Sequence, residues 1–223
     1  MMNMRTKFRG QLDTLHDMLL EMGKLAQIAI TKANNALKDQ NKELAKEVIA
    51  GDAEIDQMEK DIETLCMKIL LRQNPVAGDF RLVSSALKMI TDIERIGDQA
   101  SDIADISMYF DKPFIKKLEH IPQMAEATIE MVTDSIEAFV NNNLDLAKKV
   151  IAKDDFVDEL FATVRNDLIA LIQKDSANGE QAIDLIMIAK YLERIGDHAT
   201  NIAEWVIYSI EGRHPSHDDI DKK

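Results

Sequence analysis

The sequence predicts an all-α protein built as two tandem three-helix bundles of long antiparallel helices, the product of an internal duplication. Three observations predict this fold class. The 223 residues include only 8 Gly and 4 Pro, and aromatic residues make up 5%, so helix formers dominate and helix breakers are rare. Apolar residues recur at helical spacing over long stretches. Finally, the segment "IERIGDQASDIADI" reappears in the second half as "LERIGDHATNIAEW".

In the first half, the spacing of apolar residues predicts three helices, at residues 12–37, 43–72 and 80–110. Asn41 stands just before the second helix and is its expected N-cap. Pro75 and Gly78 predict a loop between the second and third helices. Because the connections are short, successive helices are expected to pack as antiparallel neighbours.

The second half repeats this arrangement and predicts three more helices, at residues 114–140 or 122–140, 144–174 and 181–211. The remaining segment, "GRHPSHDDIDKK", is polar and is expected to be frayed. The predicted domains are therefore residues 1–111 and residues 112–212, followed by a polar C-terminal tail at residues 213–223.

The two halves align in register, which supports a duplication. "AKEVIAGDAEID" begins at Ala45 and "AKKVIAKDDFVD" begins at Ala147, an offset of 147 − 45 = 102 residues. The two "ERIGD" copies begin at Glu94 and Glu193, an offset of 193 − 94 = 99 residues. A shorter loop in the second half accounts for the difference. This period is too long for an ordinary solenoid repeat.

The acidic charge balance limits the expected partners. With 27 basic and 40 acidic residues, the net charge is -13, and such a surface repels phosphate backbones, so no direct nucleic-acid binding is expected. No apolar run approaches the ~20 residues that a membrane span needs, and the N-terminus lacks an apolar signal-peptide core. The single cysteine, Cys66, is expected to be buried and unreactive. These features together favour a cytoplasmic protein.

Each "ERIGD" segment carries a row of acidic groups on one side of its helix. At about 100° per residue, four carboxylates of the first copy fall within ~80° of one another, namely Glu94, Asp98, Asp102 and Asp105. The apolar residues of the same segment lie on the opposite side. The corresponding positions of the second copy are Glu193, Asp197, Asn201 and Glu204, so an amide replaces one carboxylate there.

The middle helix of each half carries a shorter acidic row. Asp52 and Asp56 are i, i+4 neighbours, and the offset of 102 residues places Asp154 and Asp158 in the second half. The row continues in the first half only, with Glu59 and Glu63, whose counterparts are Phe161 and Arg165.

Unmixed acidic rows that recur in both halves predict a cationic partner, because like charges at i, i+4 cost an isolated helix about 0.2–0.5 kcal/mol per pair. Carboxylate oxygens suit hard cations and carboxylate-bridged iron or manganese. We therefore hypothesise one polynuclear metal site per repeat. The alternative for any single acid is a solvated face that aids solubility, with Arg95 and Arg194 as possible pairing partners.

Other residues of the repeated segment have structural interpretations. Gly97 and Gly196 lie inside predicted helices, where Gly costs up to ~1 kcal/mol against Ala, so close packing of a neighbouring helix is the expected reason for them. His198 aligns with Gln99 and is expected at the surface rather than as a ligand. Trp205 is expected to be a core or interface anchor.

At this point the chain resembles a known family. Two three-helix repeats, each with an acidic pair on its middle helix and "ERIGDxAxxIA" on its third, are similar to the PhoU family of phosphate transport system regulatory proteins. The resemblance extends from about Phe8 to Glu211 and includes the segment "LRQNPVAGDFR".

The resemblance implies a negative regulator of phosphate uptake and of the phosphate regulon. Such a protein acts as an adaptor between the high-affinity phosphate ABC transporter, through its ATPase, and a phosphate-sensing histidine kinase. It is not an enzyme. The resemblance also implies a cytoplasmic homodimer that has no membrane span and reaches the membrane only through its partners.

The resemblance further implies that metal ions bind at the acidic motifs, in clusters that can be multinuclear, with iron, zinc, manganese and magnesium all open. The matching residues of the first repeat are Asp52, Asp56, Glu94, Asp98 and Asp102. Those of the second repeat are Asp154, Asp158, Glu193, Asp197 and Asn201. Because Asn201 is uncharged, the second site carries less negative charge.

Two rival functions remain open. PhoU-like proteins also accompany other phosphate transporters, so the client transporter is not fixed by the sequence. A carboxylate-bridged metalloenzyme is the other rival, but ferritin-like di-iron bundles use Glu-x-x-His motifs that project into the bundle core. The "ERIGD" segments contain no such motif, and their acids oppose the apolar face. Neither a covalent-catalysis arrangement nor a P-loop is present in the sequence.

Overall fold

A computed structural model describes residues 4–73, 76–111, 113–115 and 117–215. Within these ranges the chain forms six long helices and no strand, which confirms the all-α fold class. The helices are α1 (Met4–Asp39), α2 (Lys42–Gln73), α3 (Ala77–Ser107), α4 (His120–Val140), α5 (Leu144–Lys174) and α6 (Gly179–Glu211), with a short 3-10 helix at Ser176–Asn178 before α6.

The predicted helix ends agree closely with the structure for α2 and α5 and differ for α1 and α3. α1 begins well before residue 12, because Phe8 packs against the core and gives the first turns an apolar anchor. Gly78 lies in the first turn of α3, so the loop predicted there is wrong at that position. The Gly78 Cα faces open space, and nothing in its surroundings interrupts the helix. Pro75 lies outside the described residues.

α4 begins close to the later of its two predicted starts, residue 122. Its first residue is His120, so Pro122 lies in the first turn, where the missing N–H would have had no helical partner in any case. The connection between the two halves therefore covers residues 108–119. The domain boundary between residues 111 and 112 stays a prediction.

The turn between α1 and α2 recurs between α4 and α5. Asn41 and Asn143 each accept a hydrogen bond at 3.1 Å from the backbone N–H three residues further on, so the predicted N-cap at Asn41 is confirmed. The residues before them, Gln40 and Asn142, both adopt a φ of 49°. The duplication thus extends to the backbone conformation of a turn.

The two three-helix bundles pack side by side around one continuous apolar core. Within each half all three helices contact one another, and the halves meet through α3 against α6 and α1 against α4. The approach of α1 to α4 depends on Gly23, because a Cβ there would collide with Ile136 Cδ1. Among the described residues, no helix has the length and apolar character that a membrane crossing requires.

Two predictions about single residues are settled by the packing. Cys66 is buried in α2, as expected, and burial raises the pKa of its thiol to about 12. The described start of the tail is not frayed, since the His214 ring stacks on Tyr208 at 4.7 Å and meets Trp205 edge-on at 4.4 Å. Residues 216–223 of the tail lie outside the described part of the chain.

Candidate metal centres

The acidic rows of α2 and α3 meet where the two helices pack against each other. Gly97 on α3 lies at this contact, because a Cβ built there would lie 3.1 Å from Asp52 Oδ1 and 2.9 Å from Ile55 Cδ1. Gly97 therefore makes room for the Asp52 carboxylate, which lies directly over the α3 backbone. This is the close helix packing that the sequence predicts for Gly97.

We call the carboxylates that come together here the first acidic cluster: Asp52, Asp56, Glu59, Glu94, Asp98 and Asp102. Burial raises the pKa of Asp52 to about 6, and the negative charges of Asp98, Asp56 and Asp102 act in the same direction. Burial likewise raises the pKa of Glu94 to about 6, with Asp98 and then Glu59 as the strongest charged neighbours. The groove therefore disfavours negative charge that has no counter-ion.

The edges of the first acidic cluster have polar neighbours. Burial and the charge of Asp98 raise the pKa of Asp102, while hydrogen bonding from the Tyr191 hydroxyl on α6 opposes that rise. Glu59, which was not among the predicted ligands, accepts a hydrogen bond from Thr91 Oγ1 at 3.1 Å. Glu63 is exposed and lies outside the cluster.

The second half builds the same groove between α5 and α6. A Cβ at Gly196 would lie 3.2 Å from Asp154 Oδ1. Gly196 therefore makes room for the Asp154 carboxylate, as Gly97 does for the carboxylate of Asp52. The second acidic cluster consists of Asp154, Asp155, Asp158, Glu193 and Asp197. Burial raises the pKa of Asp154 to about 6, and the charge of Asp158 contributes next.

A lysine lies inside the second acidic cluster. Lys190 Nζ forms an ion pair with Glu193 Oε2 and lies 5.5 Å from the centre of the Phe161 ring. Burial raises the pKa of both Asp158 and Asp197, and the positive charge of Lys190 opposes that rise in each case. This lysine is not among the predicted site residues, although its spacing of three residues from Glu193 is a sequence signal for an ion pair.

Asn201 lies at the seam between α3 and α6, and its amide nitrogen is already engaged. Its Nδ2 donates to Asp92 Oδ1 at 3.2 Å, and His198 Nδ1 lies 2.9 Å from the same oxygen. His198 is buried, so its predicted surface position is wrong. The reason is that α6 packs against α5 on one side and α3 on another, which a single helical face does not reveal.

The two sides of this seam are related by the duplication. The offset of 99 residues makes Asp92 equivalent to Tyr191 and Asp102 equivalent to Asn201. The structure pairs Asp102 with Tyr191 in one place and Asp92 with Asn201 in the other. The same two positions thus meet twice, and in both pairs the carboxylate is on α3 and the neutral partner is on α6.

The donor chemistry of both grooves fits a hard cation. Each groove brings together carboxylates from two helices with raised pKa values, and Asp52 Oδ1 is buried without a hydrogen-bond partner. As the side chains stand, no three His, Cys, Asp or Glu groups in the described part of the chain converge as ligands of one ion. Binding would therefore require rotation of carboxylates, and Asp98, Asp158 and Asp197 are exposed enough to rotate.

Comparison with known proteins gives a consistent result over almost the whole chain. The model of the PhoU domain matches twice, at residues 19–107 and 121–206, once in each half. A phosphate-specific transport system accessory protein PhoU homologue of Aquifex aeolicus is 41% identical over 218 residues, which cover 97% of this chain and 99% of that protein. The phosphate-specific transport system accessory protein PhoU of Escherichia coli is 30% identical, covering 97% and 91%.

Solved structures agree with this result. The crystal structure of PhoU from Pseudomonas aeruginosa has a TM-score of 0.89 and 35% identity, covering 92% of this chain and all of that one (100%). The crystal structure of the phosphate transport system regulatory protein PhoU from Streptococcus pneumoniae has a TM-score of 0.87 and 27% identity, covering 94% and 99%. The names of these relatives describe accessory and regulatory proteins of transport, not enzymes.

Proposed function

This chain belongs to the PhoU family, and we propose that it is a negative regulator of phosphate uptake and of the phosphate regulon. It acts as an adaptor between a high-affinity phosphate ABC transporter and a phosphate-sensing histidine kinase. The observation that carries this proposal is similarity along almost the full length to accessory proteins of the phosphate-specific transport system. The names of these relatives favour that transporter over another phosphate carrier as the client.

The two acidic clusters provide the chemistry of the adaptor. In this proposal each cluster holds divalent metal ions, with Asp52, Asp56, Glu94, Asp98 and Asp102 as ligands in the first repeat and Asp154, Asp158, Glu193, Asp197 and Asn201 in the second. For Asn201 the ligand is the carbonyl oxygen, because its amide nitrogen donates to Asp92. The raised pKa values of Asp52 and Asp154 show that their ionised forms are destabilised in the grooves. A bound cation supplies the positive charge that stabilises these ionised forms.

Regulation then works by docking. The net charge of -13 favours basic partner surfaces, and charge complementarity sets the specificity and rate of association more than its affinity. The protein works in the cytoplasm as a homodimer and reaches the membrane through the transporter ATPase and the kinase. Without cations the acidic grooves repel a phosphate or carboxylate of the partner, and with bound cations they can bind that group through the metal ions.

A pull-down with the purified transporter ATPase and the kinase domain tests the proposal. We expect association at low salt that weakens as salt is raised and that requires divalent cations. The variant Asp52→Asn/Asp56→Asn should lose the dependence on cations. Asp13→Asn/Asp17→Asn on α1 is the matched control, because it removes the same charge at the same i, i+4 spacing outside the clusters.

The outcome that contradicts the proposal is equally specific. If neither partner associates at low salt, with or without divalent cation, the adaptor function is wrong. Association with a low-affinity phosphate permease instead of the ABC transporter ATPase would assign the chain to another client. Reporter expression from a phosphate-repressed promoter checks the regulatory step in cells, since loss of the protein should release repression at high phosphate.

A further inference from the structure

The two acidic clusters differ in the charge that they must balance. The first contains six carboxylates, and within the described ranges no Lys, Arg or His forms an ion pair with any of them. The positive charge of Arg194 reaches both clusters, at Asp102 and at Asp197, so it does not distinguish them. The second contains five carboxylates and the ammonium group of Lys190. With all groups ionised, the formal charges are −6 for the first cluster and −5 + 1 = −4 for the second.

The difference comes from one pair of facing positions. In the first repeat Thr91 on α3 faces Glu59 on α2, and the threonine hydroxyl donates to the carboxylate at 3.1 Å. The offsets of 99 and 102 residues make Lys190 and Phe161 their counterparts. There the ammonium group lies 5.5 Å from the centre of the aromatic ring, within the ~6 Å at which a cation is attracted to a ring face.

The environment of Lys190 holds its ammonium group in place. The Glu193 side chain is 14% exposed and the Lys190 side chain is 43% exposed, so the ion pair lies at the rim of the groove with its carboxylate on the buried side. The positive charge also reaches Asp158 on α5 and Asp197 on α6. Lys190 thus bridges the two walls of the groove, with Glu193 on α6 and the ring of Phe161 on α5 as its neighbours.

We propose that Lys190 is a built-in counter-ion of the second acidic cluster, so that the first cluster is the tighter and more metal-dependent of the two divalent-cation sites. This inference rests on the cation binding proposed above. The count of five carboxylates already includes the replacement of Asp102 by Asn201, which removes one negative charge from the second repeat, and the additional Asp155, which replaces Ala53 and restores one. The duplicated sites are therefore unequal: one requires a cation from solution, and the other already contains one.

Titration of the chelator-treated full-length protein with Mn²⁺, followed by calorimetry, tests the inference. We expect two classes of site in the unaltered chain, and Asp52→Asn/Asp56→Asn should remove the tighter one. Lys190→Met keeps a long side chain against Phe161 but removes the charge. It should tighten the weaker class roughly tenfold or more, since a unit charge about 4 Å from a divalent ion contributes at least that much even in water. Lys190→Arg retains the charge and should leave the weaker class weak.

Thermal unfolding without metal gives a second readout. Lys190→Met should lower the midpoint, because it leaves the second cluster without its counter-ion, and Mn²⁺ should restore the midpoint. Thr91→Lys places the same ammonium group in the first cluster and should raise the metal-free midpoint while weakening the tighter class. This reciprocal variant keeps the test decisive if Lys190→Met does not fold.

The failures of the two proposals are distinguishable. If Mn²⁺ binds but Lys190→Met and Thr91→Lys leave both classes unchanged, or if the Asp154→Asn/Asp158→Asn variant removes the tighter class, only the built-in counter-ion is refuted. If no variant binds Mn²⁺, the cation binding of the proposed function fails, and this inference fails with it.

Discussion

Replacement of Gly97 by Ala provides the sharpest test of the groove geometry. In an exposed helix interior, Ala is more stable than Gly by up to ~1 kcal/mol. At Gly97, however, the new methyl group would lie 2.9 Å from Ile55 Cδ1 and 3.1 Å from Asp52 Oδ1. Overpacking of this kind costs about 1–3 kcal/mol. We therefore expect Gly97→Ala to lower the free energy of unfolding by about 1 kcal/mol.

Two other glycines serve as matched comparisons. A Cβ at Gly196 would meet Asp154 Oδ1 at 3.2 Å, but its other neighbours lie at ordinary contact distances of 3.6 Å and 3.8 Å, so Gly196→Ala should be close to neutral. A Cβ at Gly51 on α2 would meet nothing within 4 Å, so Gly51→Ala should stabilise by about 0.5–1 kcal/mol. The expected order of stability is Gly51→Ala, then Gly196→Ala, then Gly97→Ala.

Urea unfolding of the metal-free variants measures this order. Far-UV circular dichroism reports on all helices, and the single tryptophan, Trp205 on α6, reports on the second repeat. Coincident transitions are needed before a single free energy is assigned. A difference of about 2 kcal/mol between Gly51→Ala and Gly97→Ala corresponds to roughly 4–8 °C in a chain of this size. If Gly97→Ala stabilises as much as Gly51→Ala, the contact between Gly97 and Asp52 is wrong.

Three further predictions concern pH, metal and capping. The folded-state pKa values of Asp52, Glu94 and Asp154 are raised from 3.8, 4.5 and 3.8 to about 6, so the stability that their protonation contributes is fully present below about pH 4 and lost as the pH rises through about 6. The metal-free protein, prepared with a chelator, should therefore unfold at a higher temperature at pH 5 than at pH 7. A reversed order would contradict the raised pKa values. Mn²⁺ at 100 times its dissociation constant should stabilise the protein at pH 7 by about 2.7 kcal/mol, a gain that chelator removes; a midpoint independent of Mn²⁺ would argue against cation binding. Replacement of the N-cap Asn41 or Asn143 by Ala should cost about 1 kcal/mol each in urea unfolding, and unequal costs would show that the two turns are not energetically equivalent.

The fold could be predicted because its determinants are local or repeated. The 3.6-residue period fixes which face of each helix is buried, and scarce Gly and Pro leave few helix ends to place. The N-cap at Asn41 and the packing role of Gly97 follow from short-range rules about helix ends and helix interiors. The predicted start of α1 and the loop predicted at Gly78 were wrong. The local sequence signals at these helix ends are weak, and tertiary contacts such as the packing of Phe8 against the core outweigh them.

The parts of the site that escaped prediction depend on contacts between distant segments. The alignment of His198 with Gln99 predicts a surface position, yet Asp92 on α3 lies 106 positions away in sequence and 2.9 Å from the His198 ring. The spacing of Lys190 from Glu193 can be seen in the sequence, but its second neighbour, the ring of Phe161, lies on another helix. A helical wheel describes one helix at a time, so it cannot identify groups that two helices bring together.

The physical roles within "ERIGD" explain why the motif is duplicated as a unit. The glutamate and aspartate face the groove, the isoleucine is buried and the glycine admits the carboxylate of the neighbouring helix. A larger residue in place of the glycine would push that carboxylate away. A neutral residue in place of an acid would reduce the negative charge of the groove. These requirements constrain the motif itself but not the position three residues before its glutamate, which is Thr91 in one half and Lys190 in the other. Two copies of one groove can therefore keep the same backbone while one substitution at its edge changes the net charge of the groove.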